Sequence, residues 1–140
     1  MNLSMSKQTV WAATLKDEPG SLAGKLATLS DAGVNLDFVI ARRSDRKKGE
    51  GVVFVTPIKG SKQIAAAKKA GFQKTESLHA LRVEGADKPG LGAEMTRLIA
   101  EAEINLRGLS AAAIGNRCVV NLAFDTDEDA RKARRVLNKL

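Results

Sequence analysis

One stretch of the chain occurs twice, and this constrains the fold more than any other feature. Residues 17–36 open Asp17-Glu18-Pro19-Gly20 and close Asn35-Leu36. Seventy positions on, residues 87–106 open Asp87-Lys88-Pro89-Gly90 and close Asn105-Leu106. Without a gap, Ala23 and Ala32 fall on Ala93 and Ala102. An apolar segment precedes each copy and a β-rich run follows it. Each copy therefore reads as strand, Pro-Gly loop, amphipathic helix, turn and strand. Internal repetition sets the architecture before any single residue does.

In the first repeat, Thr9–Leu15 has strand composition and ends at the Pro-Gly pair. Leu22, Leu26, Leu29 and Ala32 then recur at helical spacing, and Gly33 stands where a left-handed stop is needed. Leu36, Phe38 and Ile40 alternate as in a strand, and residues 51–56 are apolar enough for a central one, bordered by Pro57. Ser61 is the expected N-cap of an Ala-rich helix that stops at Gly71, and residues 72–78 offer a fourth strand. The order is βαββαβ, the ferredoxin-like pattern.

The second repeat follows the same order from His79. Its first helix, 91–102, carries Leu91, Met95, Leu98, Ile99 and Ala102 as its stripe. Glu103 takes the place of Gly33, where positive φ would strain a non-glycine residue. Gly115-Asn116 is a two-residue hairpin turn, and the last helix opens in acids at Asp127–Asp129 and closes in Arg134 and Arg135. No fourth strand follows. The fold class expected is α+β: two ferredoxin-like repeats, 8–78 and 79–140, the second without its last strand. In each, helices pack on one side of an antiparallel sheet. The edge left bare at 79–84, reached from 73–78 without a turn signal, invites another strand. It points to a homodimer or a higher even oligomer assembled through residues 73–84.

Few classes of chemistry remain open. Among 140 residues there is one Cys and one His. Cys118 excludes an intramolecular disulfide and fits a reduced, cytoplasmic setting. His79 lacks the partners of a metal or catalytic site, and no nucleophile elbow, phosphate loop or dinucleotide fingerprint is present. No catalytic residue, metal or cofactor is expected, and the chain does not read as an enzyme. No long apolar run suggests a membrane span, and residues 1–7 lack the apolar core of a secretory signal. The net charge of +7 is uneven. Residues 1–70 carry 12 Lys/Arg against 6 Asp/Glu, and 71–140 carry 11 against 10. The run Arg42-Arg43-Ser44-Asp45-Arg46-Lys47-Lys48 reads first as a solvated hairpin tip and second as a polyanion patch.

What recurs is the Pro-Gly loop and its distant Asn. A helix start presents N–H groups without intrahelical partners and a partial positive charge, which suits a carboxylate. Gly20 and Gly90 leave room for a ligand, Asp17 and Asp87 can accept from an ammonium, and Asn35 and Asn105 offer both donor and acceptor. These are parts for holding a zwitterion. The plainer reading is that Pro-Gly starts the helix and Asn tolerates a turn. Both stay open on the residues alone.

The strand, Asp-x-Pro-Gly-x-Leu opening a helix, and Gly-Val-Asn-Leu opening the next strand resemble the ACT domain, a small regulatory module of enzymes of amino-acid metabolism. Asp17–Leu22 with Gly33–Leu36, and Asp87–Gly90 with Glu103–Leu106, carry the resemblance over about residues 8 to 140. It implies a free-standing tandem ACT protein that binds a free amino acid between side-by-side domains. The implied contacts are Asp17, Gly20, Ser21 and Leu22 facing Asn105 and Leu106, and Asp87, Gly90 and Leu91 facing Asn35 and Leu36. The first loop keeps the motif leucine while Gly92 replaces it in the second, so the Asp17 pocket is expected to be the better one. Serine-binding members carry a His four residues before the Pro; Leu15 and Gly85 stand there, so serine specificity is not implied. Two rivals remain: an accessory subunit docking on a metabolic enzyme, and a nucleic-acid-binding ferredoxin-like module. The second is disfavoured because the few aromatics are scattered one per element.

Overall fold

The computed structural model describes residues 2–140. The chain forms two compact units. One is contiguous, Thr9–Thr75; the other joins residues 2–8 to Glu76–Leu140.

In the contiguous unit, β2 (Trp11–Lys16), α1 (Ser21–Asp31), β3 (Phe38–Arg43), β4 (Glu50–Thr56), α2 (Gly60–Lys69) and β5 (Gln73–Lys74) follow in order. The sheet runs β3-β4-β2-β5 and is antiparallel throughout, the strand order of a ferredoxin-like unit. Alternation places Trp11, Ala13, Val53 and Val55 on one face, where they pack with Leu29, Ala67 and Phe72. The fourth strand is shorter than expected: only Gln73 and Lys74 pair, and residues 75–78 separate them from the next strand. Ser61 is not the cap of α2, which begins at Gly60 after Lys59. Gln63 Oε1 instead reaches back to accept from the Lys59 N–H at 2.8 Å, satisfying a donor at the helix start.

The other unit comprises β1 (Ser4–Gln8), β6 (His79–Ala86), α3 (Leu91–Glu101), β7 (Leu106–Ile114), β8 (Arg117–Phe124) and α4 (Asp127–Leu137). Its sheet order is β1-β6-β8-β7. The place of the missing fourth strand is taken by β1, antiparallel to β6 from Ser4↔Glu84 to Gln8↔Ala80. The edge at 79–84 is therefore covered by the chain itself, and the argument for a homodimer through residues 73–84 does not stand. Leu3 and Met5 pack against the core of Leu81, Val83, Met95, Ile99, Leu122 and Phe124. Arg134 Nη2 donates to the Met5 carbonyl at 3.1 Å, and Lys7 Nζ lies 2.9 Å from Asp127 Oδ1. Thr126 caps α4 by accepting from the Asp129 N–H.

The two helix-to-strand turns share one backbone path. Val34 N–H donates to the Leu29 carbonyl and Ile104 N–H to the Ile99 carbonyl, both at 3.1 Å. Gly33 has φ of +81° and Glu103 +60°; Glu103 is the one non-glycine residue with positive φ among the described residues. A side chain in this conformation costs about 1–2 kcal/mol. Nothing lies within 4 Å of a Cβ built on Gly33. Gly33→Ala should thus destabilise through backbone strain alone, by about 1–2 kcal/mol, and Glu103→Gly should stabilise by about 1 kcal/mol. Urea unfolding of the two variants checks both signs.

Candidate functional site

Both Pro-Gly loops are built alike. Asp17 N–H donates to the Gly49 carbonyl and Asp87 N–H to the Asn116 carbonyl, each at 2.9 Å, tying each loop to the hairpin on the neighbouring strand. Gly20 and Gly90 precede the helices with φ of +90° and +82°, a conformation that favours glycine. No side chain caps α1 or α3. The Ser21 and Leu91 N–H groups donate to the Glu18 and Lys88 carbonyls, at 3.4 and 3.3 Å, and the next two N–H groups of each helix have no intrahelical partner.

Each loop borders a cleft inside its own unit. The first, about 280 Å³, is lined by Asp17, Ser21 and Leu22 with Leu15, Lys16, Glu18, Ala41, Arg42, Arg43 and Gly51. The second, about 220 Å³, is lined by Asp87, Gly90 and Leu91 with Lys88, Gly92, Ala111, Ala112, Ala113, Cys118 and Val120. Gly20 borders a wider hollow of about 650 Å³ alongside α1.

The pairing explains why the clefts differ. In the first unit the central strand contributes Gly51, flanked by Leu15 and Arg43. In the second it contributes Cys118, flanked by Gly85 and Ala113. Bulk and charge thus sit on the flanking strands of the first cleft, whereas the second has only the Cys118 thiol on its central strand. Arg43 Nε lies 2.7 Å from Asp17 Oδ2, so the motif carboxylate of the first loop already has a cationic partner. Both side chains are well exposed, so the pair adds only about 0–1 kcal/mol to stability. In the second loop Lys88 is turned to Glu94, 3.8 Å away.

Of the sequence-derived residues, Asp17, Ser21 and Leu22 share one cleft, and Asp87, Gly90 and Leu91 share the other. Asn35 and Asn105 lie at the opposite ends of their helices and are exposed. An 11-residue helix spans about 16 Å, so within a unit the loop and the Asn cannot hold one small molecule. Leu36 and Leu106 pack against their own cores. Arg42 and Arg43 were not among the expected site residues, because the basic run reads as a hairpin tip. The Arg43↔Gly51 register brings that end of β3 to the loop. A Cβ on Gly51 would meet the Arg42 carbonyl at 2.7 Å, so Gly51→Ala should displace β3 and destabilise by about 1–3 kcal/mol, measurable by thermal unfolding.

Among the described residues, no helix is long and apolar enough to cross a membrane, and no group of three or more His, Cys, Asp or Glu could hold a metal. Trp11, Phe72 and Phe124 are buried in the cores, and Phe38 and Phe54 are half-buried on the adjacent strands β3 and β4.

Residues 13–70 match the family model of the ACT domain. No curated protein matches the chain in sequence. Among solved structures, the ligand-free regulatory subunit of aspartate kinase from Thermus thermophilus is similar at 16% identity and a TM-score of 0.68, covering 99% of this chain and 96% of that one. A protein of Bacteroides thetaiotaomicron is similar at 16% identity and a TM-score of 0.77, covering 99% and 90%. A structure of aspartokinase alpha and beta subunits gives 17% identity and 0.65, covering 99% and 96%. At these identities the likeness speaks for the fold. Residues 13–70 thus carry the sequence pattern of the ACT domain, and the unit built on β6, β7 and β8 repeats the strand order of the unit they form.

Proposed function

We propose that this chain is a regulatory module that binds a free amino acid at its Pro-Gly loops and signals occupancy through the interface between ACT-like repeats. The observation that carries the reading is the second loop. An uncapped helix start offers N–H donors for a carboxylate, and Asp87 stands beside it in a cleft that β7 lines with alanines alone. Gly92, Ala112 and Ala113 leave the cleft open. The helix-to-strand turn of a neighbouring repeat, with Asn35 or Asn105, would complete the site. The resemblance favoured the Asp17 pocket; the Arg43 ion pair on Asp17 shifts our preference to Asp87.

The regulatory part of this reading is supported by the likeness to aspartate kinase regulatory subunits. The same likeness supports a second reading, in which the chain docks on a metabolic enzyme and its clefts are vestigial. A cytoplasmic setting suits either, and a homodimer would need a surface other than 79–84.

Thermal unfolding in the presence of each of the twenty amino acids separates the two. At 100 times its Kd, a ligand stabilises by about 2.7 kcal/mol. The first reading expects one or a few free amino acids to raise Tm while their α-N-acetyl forms do so much less. If none acts at millimolar concentration, the docking reading takes its place.

A further inference from the structure

The first unit leaves part of β2 without a neighbour. β5 pairs with β2 only at Trp11 and Ala12, because the end of α2 holds the residues before it. Gly71 N–H donates to the Lys68 carbonyl and Phe72 N–H to the Ala67 carbonyl. On the β5 side the Val10 carbonyl accepts from Thr75 N–H, and on the β4 side Asp17 N–H donates to the Gly49 carbonyl. Alternation along β2 therefore points the N–H and C=O of Thr14 and the N–H of Lys16 to the side that β5 does not reach. The hollow of about 650 Å³ lies along this edge, between Thr14 and Lys16 on β2 and Gly24 and Thr28 on α1. A Cβ built on Gly24 meets nothing within 4 Å.

The second repeat shows what such an edge accepts. Seventy positions on, Glu84 stands in the place of Thr14 and is paired with Ser4 of β1. An added strand covers that edge; in the first repeat no described strand does. Charge narrows the choice of occupant. Lys16 lies on the sheet face away from Trp11 and Ala13, while Lys25 reaches the hollow from α1 and donates to the Ala70 carbonyl. Glu50, the one acid in the lining, is held by Lys47 at 3.2 Å. Side chains of an added strand alternate between faces, so two adjacent acids would meet one lysine each. No described strand of this chain has two adjacent acids, which points away from a second copy.

We propose that the free edge of β2 from Thr14 to Lys16 binds an extended acidic segment of a partner protein, which joins the sheet as a strand in the row that β5 begins. The proposal goes beyond the amino-acid reading and does not depend on it, since neither Asp17 nor Asp87 takes part.

The probe is a fluorescein-labelled peptide, Thr-Val-Asp-Glu-Val-Thr, titrated into the full chain and followed by anisotropy. One control peptide carries Lys-Lys in place of Asp-Glu, and another is N-methylated at both acids. Thr14→Pro removes an edge donor that faces away from β4. Gly24→Leu fills the hollow and suits a helix better than Gly. The peptide-free Tm is the folding control, and if Thr14→Pro fails to fold, Gly24→Leu decides alone. The acidic peptide is expected to bind, and each control peptide and each variant to weaken binding by about tenfold, the size of one lost hydrogen bond. No binding at millimolar concentration overturns the proposal. Equal binding of the N-methylated peptide means attraction by charge alone and overturns the strand addition. Binding unchanged in Gly24→Leu places the peptide elsewhere and overturns the site. Association of the full chain by itself that Gly24→Leu abolishes, seen by light scattering, gives the edge to a second copy and overturns the choice of partner.

Discussion

Removing residues 2–8 should destabilise the unit built on β6, β7 and β8 by about 3–5 kcal/mol while leaving Thr9–Thr75 folded. The deletion takes away the strand paired with β6 from Ala80 to Glu84 and the partly buried Leu3 and Met5. Their apolar burial accounts for most of the loss. A second consequence follows from the bared strand, whose unpaired N–H and C=O groups then invite another copy. Chemical unfolding should show a lower transition for this unit, and light scattering should show association absent from the full chain. Unchanged unfolding would mean that β1 does not hold the sheet. A milder form of the experiment uses pH. The Lys7 ammonium, by hydrogen bond and then by charge, holds the Asp127 carboxyl below its ordinary value, with Arg131 adding to it. The folded-state value is depressed, so this contribution is present above the unfolded carboxyl range and lost as pH falls through the folded value. Lys7→Ala should remove that part of the acid dependence.

Phe72→Ala and Phe124→Ala should each cost about 3–5 kcal/mol, because each ring is fully buried in the core of its own unit. Domain stabilities are typically about 5–15 kcal/mol, so either loss approaches the whole margin of a small unit. The two units have separate cores, and the losses should fall separately. Hydrogen exchange should show Phe72→Ala exposing amides of β2 and β4, and Phe124→Ala exposing those of β6 and β8. If both variants lowered protection equally throughout the chain, the two cores would be one cooperative system.

The parts of this fold that sequence made legible are those with local causes. The Pro-Gly loops, the helix stripes, the left-handed turn at Gly33 and the strain at Glu103 all follow from residues close in the chain. Where a distant segment decides the outcome, local pattern is silent. Ser4–Gln8 has no β-branched residue, and it becomes a strand because β6 offers an unpaired edge and the core accepts Leu3 and Met5. Ser61 has the residue type of a cap, but the helix starts one residue earlier, where the Gln63 side chain accepts from the Lys59 N–H. The basic run 42–48 looked like a solvated tip; only the Arg43↔Gly51 register shows that its first two residues belong to the loop cleft. The site residues of the motif were legible as types, and their different surroundings in the two repeats were not.

The central claim, that an amino acid occupies the cleft beside Asp87, has a built-in reporter. Cys118 lines that cleft, is 7% exposed, and is the only thiol in the chain. Its rate of alkylation by a small maleimide can be followed in the full protein with and without each amino acid. The account predicts that the amino acid that raises Tm also slows labelling of Cys118, and that Asp87→Ala abolishes the protection while the variant stays folded. Thermal stabilisation with Cys118 labelled at an unchanged rate would place the ligand elsewhere and contradict the assignment.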